Sequence, residues 1–376
     1  MNSLKMNNIP TMPVGKAVQL LSNAYVSIIR SGTPIKEFPS VMLWGAPGVG
    51  KSQGVREIGE AIKKETGKEV HVTDVRLLLF NPVDLRGIPT ANENKTLAVW
   101  LKPEIFKMDP SEDIINILFL DEISAAPQSV QAAAYQITLD RKVGEHTLPN
   151  NCFVIAAGNR VTDKSVAYKM PKALANRLLH INIESEFDSW RKWAMRKGID
   201  SRIVGFLSFS RDKLMMFDSA NEDLAFATPR SWEMVSNVLN NTNKDSEKID
   251  EVFELVAGLV GMGTALEFRS WLNVYKELPD IEDIFNGKQV EIINNPKTLF
   301  ALSSAIYEYA RKHKDELEIE KIDNSIDYIQ RLPKEYSVLI MYDYNCLGDE
   351  FLTKLKKSGK YLKWLEKNGK LLNAFN

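Results

Sequence analysis

One stretch of this sequence, Gly45-Ala-Pro-Gly-Val-Gly-Lys-Ser52, limits what the chain can fold into more than any other feature. It fits the pattern of glycine, any four residues, glycine, lysine and serine or threonine without a mismatch. It follows a short apolar run, Ser40 to Trp44, and precedes a helix-like segment, Lys51 to Lys64. A glycine-rich loop between a strand and a helix directs backbone N–H groups and the helix dipole at a phosphate. The stretch therefore predicts a P-loop in a parallel α/β layer, and a chance glycine turn is the weaker alternative.

The chemistry of a P-loop gives each polar residue in it a task. We expect Lys51 to neutralise β- and γ-phosphate oxygens and Ser52 to offer its hydroxyl to Mg²⁺. The predicted cofactors are therefore ATP or ADP together with Mg²⁺. The predicted nucleotide-binding residues of this stretch are Gly45, Ala46, Pro47, Gly48, Val49, Gly50, Lys51, Ser52 and Gln53.

Four short apolar runs and one β-branched run indicate a parallel sheet. The last three are short, largely apolar and without the helical period, which is typical of strands buried on both faces. The runs are Ser40–Trp44, Glu69–Val75, Ile114–Leu120, Phe153–Ala157 and Leu179–Ile183. Helical segments lie between most of them, so we predict an α/β fold with a five-stranded parallel P-loop sheet flanked by helices. From about Glu184 the pattern changes to amphipathic helices, which predicts an all-helical second half.

A pair of acids ends the third apolar run. Ile117-Leu-Phe-Leu120 is followed by Asp121 and Glu122, at the carboxyl end of a strand, where open α/β sheets bind ligands. We predict that Asp121 binds nucleotide and holds Mg²⁺ together with Ser52, and that Glu122 polarises the attacking water. Two acids after a strand are by themselves as often a solvated turn, but a P-loop requires such a partner.

An asparagine ends the next strand. In Phe153-Val-Ile-Ala-Ala-Gly-Asn159-Arg160, the amide of Asn159 is placed to hold the lytic water or to sense the γ-phosphate. An isolated asparagine after a strand is usually a turn residue. The order of the three motifs favours the catalytic interpretation here.

The succession of these motifs resembles the AAA+ superfamily, and in particular its MoxR-like branch. The stretches that carry the resemblance are Gly45–Ser52, Ile117–Glu122, Ala156–Arg160 and Ala173–His180. Asn81 to Pro89, with a hairpin-like piece from Thr96 to Trp100, resembles the insert in helix 2 that defines the branch. Asp140 to Pro149 resembles the hairpin before the sensor 1 strand. The resemblance runs through most of the chain, and implies a P-loop core over 1–184, a helical lid over 185–298 and a helical C-terminal extension over 299–376.

The resemblance also implies roles for two arginines. Arg177 looks like the arginine finger that reaches the nucleotide of an adjacent subunit, with capping of a helix end as the alternative. Thr228-Pro-Arg230-Ser-Trp232 is similar to the sensor 2 motif, and whether Arg230 acts in its own subunit or in a neighbour is left open. An arginine in the first turn of a helix opposes the helix dipole, which favours a nearby anion. Arg141 and Arg160 are left open as interface charges or ordinary ion pairs.

A ring-forming ATPase is the function that the resemblance implies. MoxR-like proteins are expected to assemble as homo-oligomers, here a hexamer, and to remodel a protein client, often with a partner bearing a von Willebrand factor A domain. Three alternatives stay open: a McrB-like motor that prefers GTP and drives a nuclease, a small-molecule P-loop kinase, and a nucleotide-gated scaffold without turnover.

Composition narrows the remaining classes. The 48 basic and 49 acidic residues nearly cancel, which argues against direct nucleic-acid binding. The two cysteines, Cys152 and Cys346, have no metal-site spacing, and no segment reaches the ~20 apolar residues of a membrane span. We therefore expect a cytoplasmic protein. A lysine-rich end, Lys354 to Lys370, is interpreted as a solvated helix face.

Overall fold

The computed structural model describes residues 9–163, 170–242 and 251–372, which pack as two compact units. The first unit runs to Ser189 and includes Phe217–Glu222. The second comprises Trp190–Met216 and the chain from Asp223 onward. In the described part of the chain, no helix has both the length and the apolar character that crossing a membrane requires.

A six-stranded parallel sheet forms the centre of the first unit, with the spatial order β1-β10-β2-β9-β6-β3. The strands in chain order are β1 Thr11–Pro13, β2 Val41–Trp44, β3 Glu69–Arg76, β4 Ile88–Ala91, β5 Ala98–Leu101, β6 Ile114–Asp121, β7 Lys142–Val143, β8 His146–Thr147, β9 Cys152–Gly158 and β10 Leu179–Glu184. The predicted fold class is confirmed, and all five predicted runs are strands of this sheet. The structure adds a sixth strand, β1, at the edge beside β10.

The helices of the first unit follow the predicted spacing. They are α1 Val14–Ser31, α2 Lys51–Thr66, α3 Pro82–Arg86, α4 Gln128–Asp140 and α5 Lys172–Ala175. Every residue of β2 and of β9 is buried, as expected for central strands with both faces covered. The ring of Tyr25 on α1 stacks on Phe153 of β9 with 3.9 Å between centroids, a contact type worth about 0.5–1.5 kcal/mol beyond area burial. The three most buried strands, β2, β9 and β6, are also the ones that end in the predicted motifs.

Two hairpins accompany this sheet. Strands β4 and β5 pair antiparallel, and so do β7 and β8. The second hairpin contacts both the first hairpin and helix α3: Nε2 of His146 on β8 lies 2.8 Å from the carbonyl oxygen of Trp100 on β5, and a Cβ at Gly144, in the β7–β8 turn, would lie 2.5 Å from the carbonyl oxygen of Arg86, the last residue of α3. Since Gly144 has a φ of +56° and no room for a side chain, glycine is required at this contact.

The second half of the chain is helical, as predicted. The helices are α6 Phe187–Lys197, α7 Ser201–Phe209, α8 Pro229–Thr242, α9 Phe253–Val260, α10 Met262–Lys276, α11 Ile281–Phe285, α12 Pro296–His313, α13 Ile319–Arg331, α14 Lys334–Asn345, α15 Asp349–Lys357 and α16 Gly359–Leu372. Inside the second unit, the guanidinium of Arg191 binds both carboxylate oxygens of Asp343, at 2.7 and 2.6 Å, and both side chains are almost fully buried. This pair joins α6 to α14 across 152 residues of sequence.

Candidate functional site

The loop from Gly45 to Ser52 connects the buried end of β2 to the first turn of α2. Gly50, directly before the helix, has a φ of +98°, a conformation that other residues rarely adopt. Among the described residues, α2 has no side-chain cap at its N-terminus and no acid in its first turn. The backbone N–H groups at this helix start and the positive end of its dipole therefore favour an anion at the loop.

The ammonium group of Lys51 lies at the centre of the site. It is almost fully buried and donates to the carbonyl oxygens of Gly45 and Ala46, at 2.6 and 3.1 Å, and to Oδ1 of Asn159 at 3.0 Å. The ammonium is thus held by three oxygen acceptors, two from the loop and one from Asn159. The contact with Asn159 brings the end of β9 to the P-loop, as the sequence predicted.

The carboxylate of Asp121 binds the residue after Lys51. The Ser52 hydroxyl donates to Oδ2 of Asp121 at 2.8 Å, and the backbone N–H of Glu122 donates to Oδ1 at 2.8 Å. A hydroxyl and a carboxylate beside a phosphate-binding loop are the hard oxygen ligands that Mg²⁺ prefers. The residues present therefore fit Mg²⁺, which Ser52 and Asp121 would hold together with the phosphates.

Glu122 has a left-handed backbone with a φ of +58°, and its side chain is exposed. The following residues fix this turn, because the N–H of Ile123 donates to the carbonyl of Ala157 at 2.9 Å and the N–H of Ala125 to that of Glu122 at 3.0 Å. A non-glycine residue in such a conformation costs about 1–3 kcal/mol, and these conformations cluster at functional sites. The strain orients a carboxylate outward at the sheet edge that carries Lys51 and Asp121.

A buried serine that the sequence did not single out holds Asn159. The hydroxyl oxygen of Ser124 accepts the backbone N–H of Asn159 at 2.9 Å. A Cβ at the preceding residue, Gly158, would lie 2.7 Å from that oxygen, so the fit is close. The one available signal was the position of Ser124, two residues beyond Glu122.

Asp74 is a second residue near the site that the pattern missed. It lies on β3, which pairs with β6 so that Arg76 is opposite Asp121. Burial, followed by repulsion from the Asp121 carboxylate, raises the pKa of Asp74, while Arg76 and Arg56 oppose the rise. The structure therefore brings the carboxylate of Asp74 close enough to that of Asp121 for the two to interact, with the guanidinium of Arg56 3.8 Å from Asp74.

Arg177 lies in the turn between α5 and β10 and is exposed. Its guanidinium makes no hydrogen bond or ion pair with another described residue. The turn itself is held, because Nε1 of Trp44 donates to Nδ1 of His180 at 2.9 Å and Nε2 of His180 lies 2.7 Å from the carbonyl of Ala175. The first of these bonds makes Nδ1 an acceptor, so the ring proton is on Nε2 and is donated to Ala175. The turn that carries Arg177 is thus tied to the strand that ends at the P-loop.

Arg230 belongs to the second unit, in the first turn of α8, and is exposed. Thr228 and Ser231 cap this turn: the Ser231 hydroxyl accepts the N–H of Thr228 at 2.7 Å, and the Thr228 hydroxyl accepts the N–H of Ser231 at 3.0 Å. The cap satisfies the helix N-terminus, so the arginine side chain is not needed for local structure.

The two arginines left open by the sequence are engaged within the chain. Arg160 forms an ion pair with Asp163 at 3.1 Å, and Arg141 donates to the backbone carbonyls of Cys152 and Phe38 at 2.8 and 2.9 Å. Burial lowers the pKa of Arg141. Both side chains therefore support the fold of the first unit.

Residues 40–180 match the model of the family described as "ATPase family associated with various cellular activities (AAA)". Comparison with curated proteins gives no match. Among solved structures, a Thermotoga maritima RuvB variant is 17% identical, with 78% of this chain and 82% of that chain covered and a TM-score of 0.34. Caenorhabditis elegans PCH-2 is 13% identical, with 79% and 68% covered and a TM-score of 0.33. Domain III of the Thermotoga maritima replication initiation protein DnaA is 15% identical, with 67% and 90% covered and a TM-score of 0.33. The family match includes every candidate site residue except Arg230.

Proposed function

We propose that this chain hydrolyses ATP with Mg²⁺ as an AAA+ ATPase of the MoxR-like kind, and that copies of it assemble into a ring that remodels a protein client. One observation carries the proposal. The contacts of Lys51 with Asn159 and of Ser52 with Asp121, at 3.0 and 2.8 Å, bring the ends of three neighbouring strands together at the P-loop, which supports a phosphate-binding role.

The residues of the site divide the chemistry among them. Lys51 exchanges its contacts with loop oxygens for phosphate oxygens, while Ser52 and Asp121 hold Mg²⁺, which supplies charge neutralisation. Glu122 takes a proton from water as the water oxygen bonds to the γ-phosphorus and the bond to the β-phosphate oxygen breaks, which yields ADP and phosphate. Asn159 orients that water through its amide.

Arg177 is proposed to complete the site of the adjacent subunit. Its exposure, and the absence of a partner for it among the described residues, support a role outside its own subunit. An arginine supplied in this way stabilises charge on the transferring phosphoryl group and is worth ~10³–10⁵ in rate in related enzymes. We propose that Arg230 contacts an anion. Whether that anion is bound in its own subunit or in a neighbouring one is left open.

Replacement of the proposed base tests turnover directly. We expect Glu122→Gln to lower ATP hydrolysis by at least about a hundredfold, because the amide cannot accept the proton, while nucleotide binding is retained. The measurement is phosphate release, with equilibrium binding of a fluorescent ATP analogue alongside. Glu60→Gln, an exposed glutamate on the outer face of α2, is the control and should hydrolyse ATP normally. Unchanged turnover in Glu122→Gln would contradict the assignment of Glu122 as the base, whereas absence of turnover in the parent protein would support the scaffold alternative.

Mixing two inactive variants tests whether the site is shared. We expect Arg177→Ala to be inactive alone, because each site loses its finger. When it is mixed with Glu122→Gln, activity should return, since an Arg177→Ala subunit keeps its base and receives the finger of its Glu122→Gln neighbour. Each variant mixed with itself is the control. Absence of recovery in mixed rings, with assembly shown by sedimentation, would place Arg177 in its own subunit.

The proposal that the protein remodels a client rests on the resemblance of its sequence to MoxR-like proteins. A partner with a von Willebrand factor A domain and a cytoplasmic location are proposed on that basis. Turnover of GTP in preference to ATP would instead favour the McrB-like alternative.

A further inference from the structure

The helical second unit contains a cavity of about 670 Å³ that opens to solvent. Its wall comes from the start of α7, the end of α8, α10, α11 and the last turns of α12. This volume lies in the range of sites that hold small organic ligands, about 300–1,000 Å³. No step of the proposed ATPase reaction uses it.

Charged side chains dominate one side of the cavity. Arg202 binds both oxygens of Asp200, at 2.9 and 2.6 Å, and Arg311 binds both oxygens of Glu308, at 2.9 and 2.8 Å. Lys312 lies 3.4 Å from Glu308. Among the described residues, these three cations and two carboxylates leave a surplus of one positive charge on the wall.

Both oxygens of each carboxylate in the wall accept a hydrogen bond from an arginine, while each arginine keeps one terminal nitrogen without a hydrogen bond among the described residues. Each arginine uses Nε and Nη2 for its own carboxylate, so both carboxylates have their two oxygens occupied, whereas Nη1 of Arg202 and of Arg311 makes no hydrogen bond within the described part of the chain. Burial lowers the pKa of Arg202, but hydrogen bonding and charge from Asp200 raise it overall. The cavity therefore offers charged donors rather than acceptors.

Another part of the lining is apolar. It comprises Leu239, Ile281 and Ala305, together with the rings of Tyr275 and Tyr309. The phenol of Tyr275 is occupied, because it donates to the carbonyl of Ser201 at 3.2 Å. An occupant that matches both parts of the lining carries one negative charge on an apolar body.

We propose that this cavity binds a carboxylate attached to an apolar or aromatic body, presented either by a free organic acid or by an acidic side chain of a peptide segment. The N–H groups on Nη1 of the two arginines can donate to a carboxylate, and a single anionic charge balances the surplus of the wall. The site is independent of the ATPase centre.

Calorimetric titration of the full chain tests the proposal with four probes. The free-acid pair is 4-phenylbutyrate and its neutral amide, and the peptide pair is acetyl-Leu-Glu-Phe-amide and its glutamine counterpart. We expect each acid to bind at least about tenfold more tightly than its neutral counterpart. Whichever acid binds more tightly identifies the source of the natural carboxylate.

Two lysines at the end of α12 provide a matched pair of variants. Lys312→Gln removes the surplus charge from the wall at a side chain that is 63% exposed, so the fold should survive. We expect it to weaken binding of the acids about threefold or more, and Lys314→Gln, outside the lining, to leave binding unchanged. Equal binding of acid and amide, equal loss in the two lysine variants, or no binding of either acid at about 10 mM would overturn the proposal.

Discussion

Glu122 combines a proposed catalytic role with a backbone that ordinary residues avoid. Its φ of +58° is imposed by the turn that follows β6, in which Ile123 bonds to Ala157 of the neighbouring strand. The turn thus presents an exposed carboxylate directly after Asp121 at a cost in backbone strain. Stability and activity should therefore conflict at this one residue.

Replacement of Glu122 by glycine should change the stability of the fold and the ATPase activity in opposite directions. Because glycine adopts positive φ without steric cost, we expect Glu122→Gly to raise the free energy of unfolding of the first unit by about 1 kcal/mol while ATP turnover is lost. Urea denaturation followed by circular dichroism measures the first effect, and phosphate release measures the second. Glu122→Gln keeps a side chain at this φ and is the control, with unfolding close to that of the parent. A glycine variant less stable than the glutamine variant would contradict the argument.

A residue of the site could be predicted where the neighbouring residues in the sequence form a pattern that marks it. Lys51, Asp121 and Asn159 each end or follow an apolar run, so pattern and position identified them together. Ser124 and Asp74 have no such signal, because their importance comes from a hydrogen bond to Asn159 and from proximity to Asp121 across paired strands. Contacts of this kind appear only when the sheet is assembled.

At the scale of the elements, the side chains of Trp44 and His180 link strand β2 to the turn before β10. Trp44, the last residue before the P-loop, binds His180, and His180 binds the carbonyl of Ala175. The strand that leads to the phosphate site is therefore bonded to the turn that presents Arg177. We expect the strength of this link to affect turnover rather than nucleotide affinity.

Removal of the hydrogen bond between Trp44 and His180 tests this expectation. Trp44→Phe removes the N–H donor and leaves His180 Nδ1 without its partner, which should cost about 1–3 kcal/mol in unfolding free energy. ATP turnover should fall because the Arg177 turn is less fixed, while ATP affinity should stay within about twofold of the parent. Denaturation, phosphate release and nucleotide titration give the three values. A large loss of ATP affinity with normal turnover of bound nucleotide would contradict the proposed link.

Strand β1 shows why one element escaped prediction. Thr11–Pro13 is three residues long, contains a proline and has no apolar run, so neither length nor periodicity marks it. It exists because Asn182 of β10 presents an unpaired edge: Thr11 lies opposite Asn182, whose side-chain amide donates to the threonine hydroxyl at 3.1 Å. The buried strands were predictable because their neighbours cover both faces, and an edge strand lacks that constraint.

At the scale of the whole molecule, the buried ion pair of Arg191 and Asp343 is a contact of the second unit that requires both of its partners. Both side chains are almost fully buried and bind each other through two hydrogen bonds. A buried ion pair adds little over an apolar pair of similar volume, but an isolated buried charge is very unfavourable. The contact therefore fixes which helices pack together more than it stabilises them.

Breaking this pair from one side should be costly. We expect Asp343→Asn to lower the free energy of unfolding by about 3–5 kcal/mol, because Arg191 keeps its charge without a counter-charge. The double variant Arg191→Met with Asp343→Leu should lose much less. Urea unfolding of the full chain compares these variants with the single variants Arg191→Met and Asp343→Leu. If the losses of the two single variants add up to the loss of the double variant, the interpretation is contradicted.

At the same scale, the sequence predicted a sheet followed by helices because each half has a consistent apolar period. The division at 184 and 298 stays a prediction, and the first compact unit of the structure includes a short segment, Phe217–Glu222, that no periodicity marks. The bond from Arg191 to Asp343, 152 residues apart, was equally invisible to patterns that extend over a few turns.

The contact between the two hairpins has a mechanical consequence. Because His146 of the β7–β8 hairpin lies 2.8 Å from the carbonyl oxygen of Trp100 in the β4–β5 hairpin, a force on either hairpin acts on the other. The chain from β8 continues after a short connection into β9, whose far end leads directly to Asn159. Under the proposed function, tension that a client applies to the hairpins would travel along this buried strand to the amide beside Lys51 and slow the chemistry.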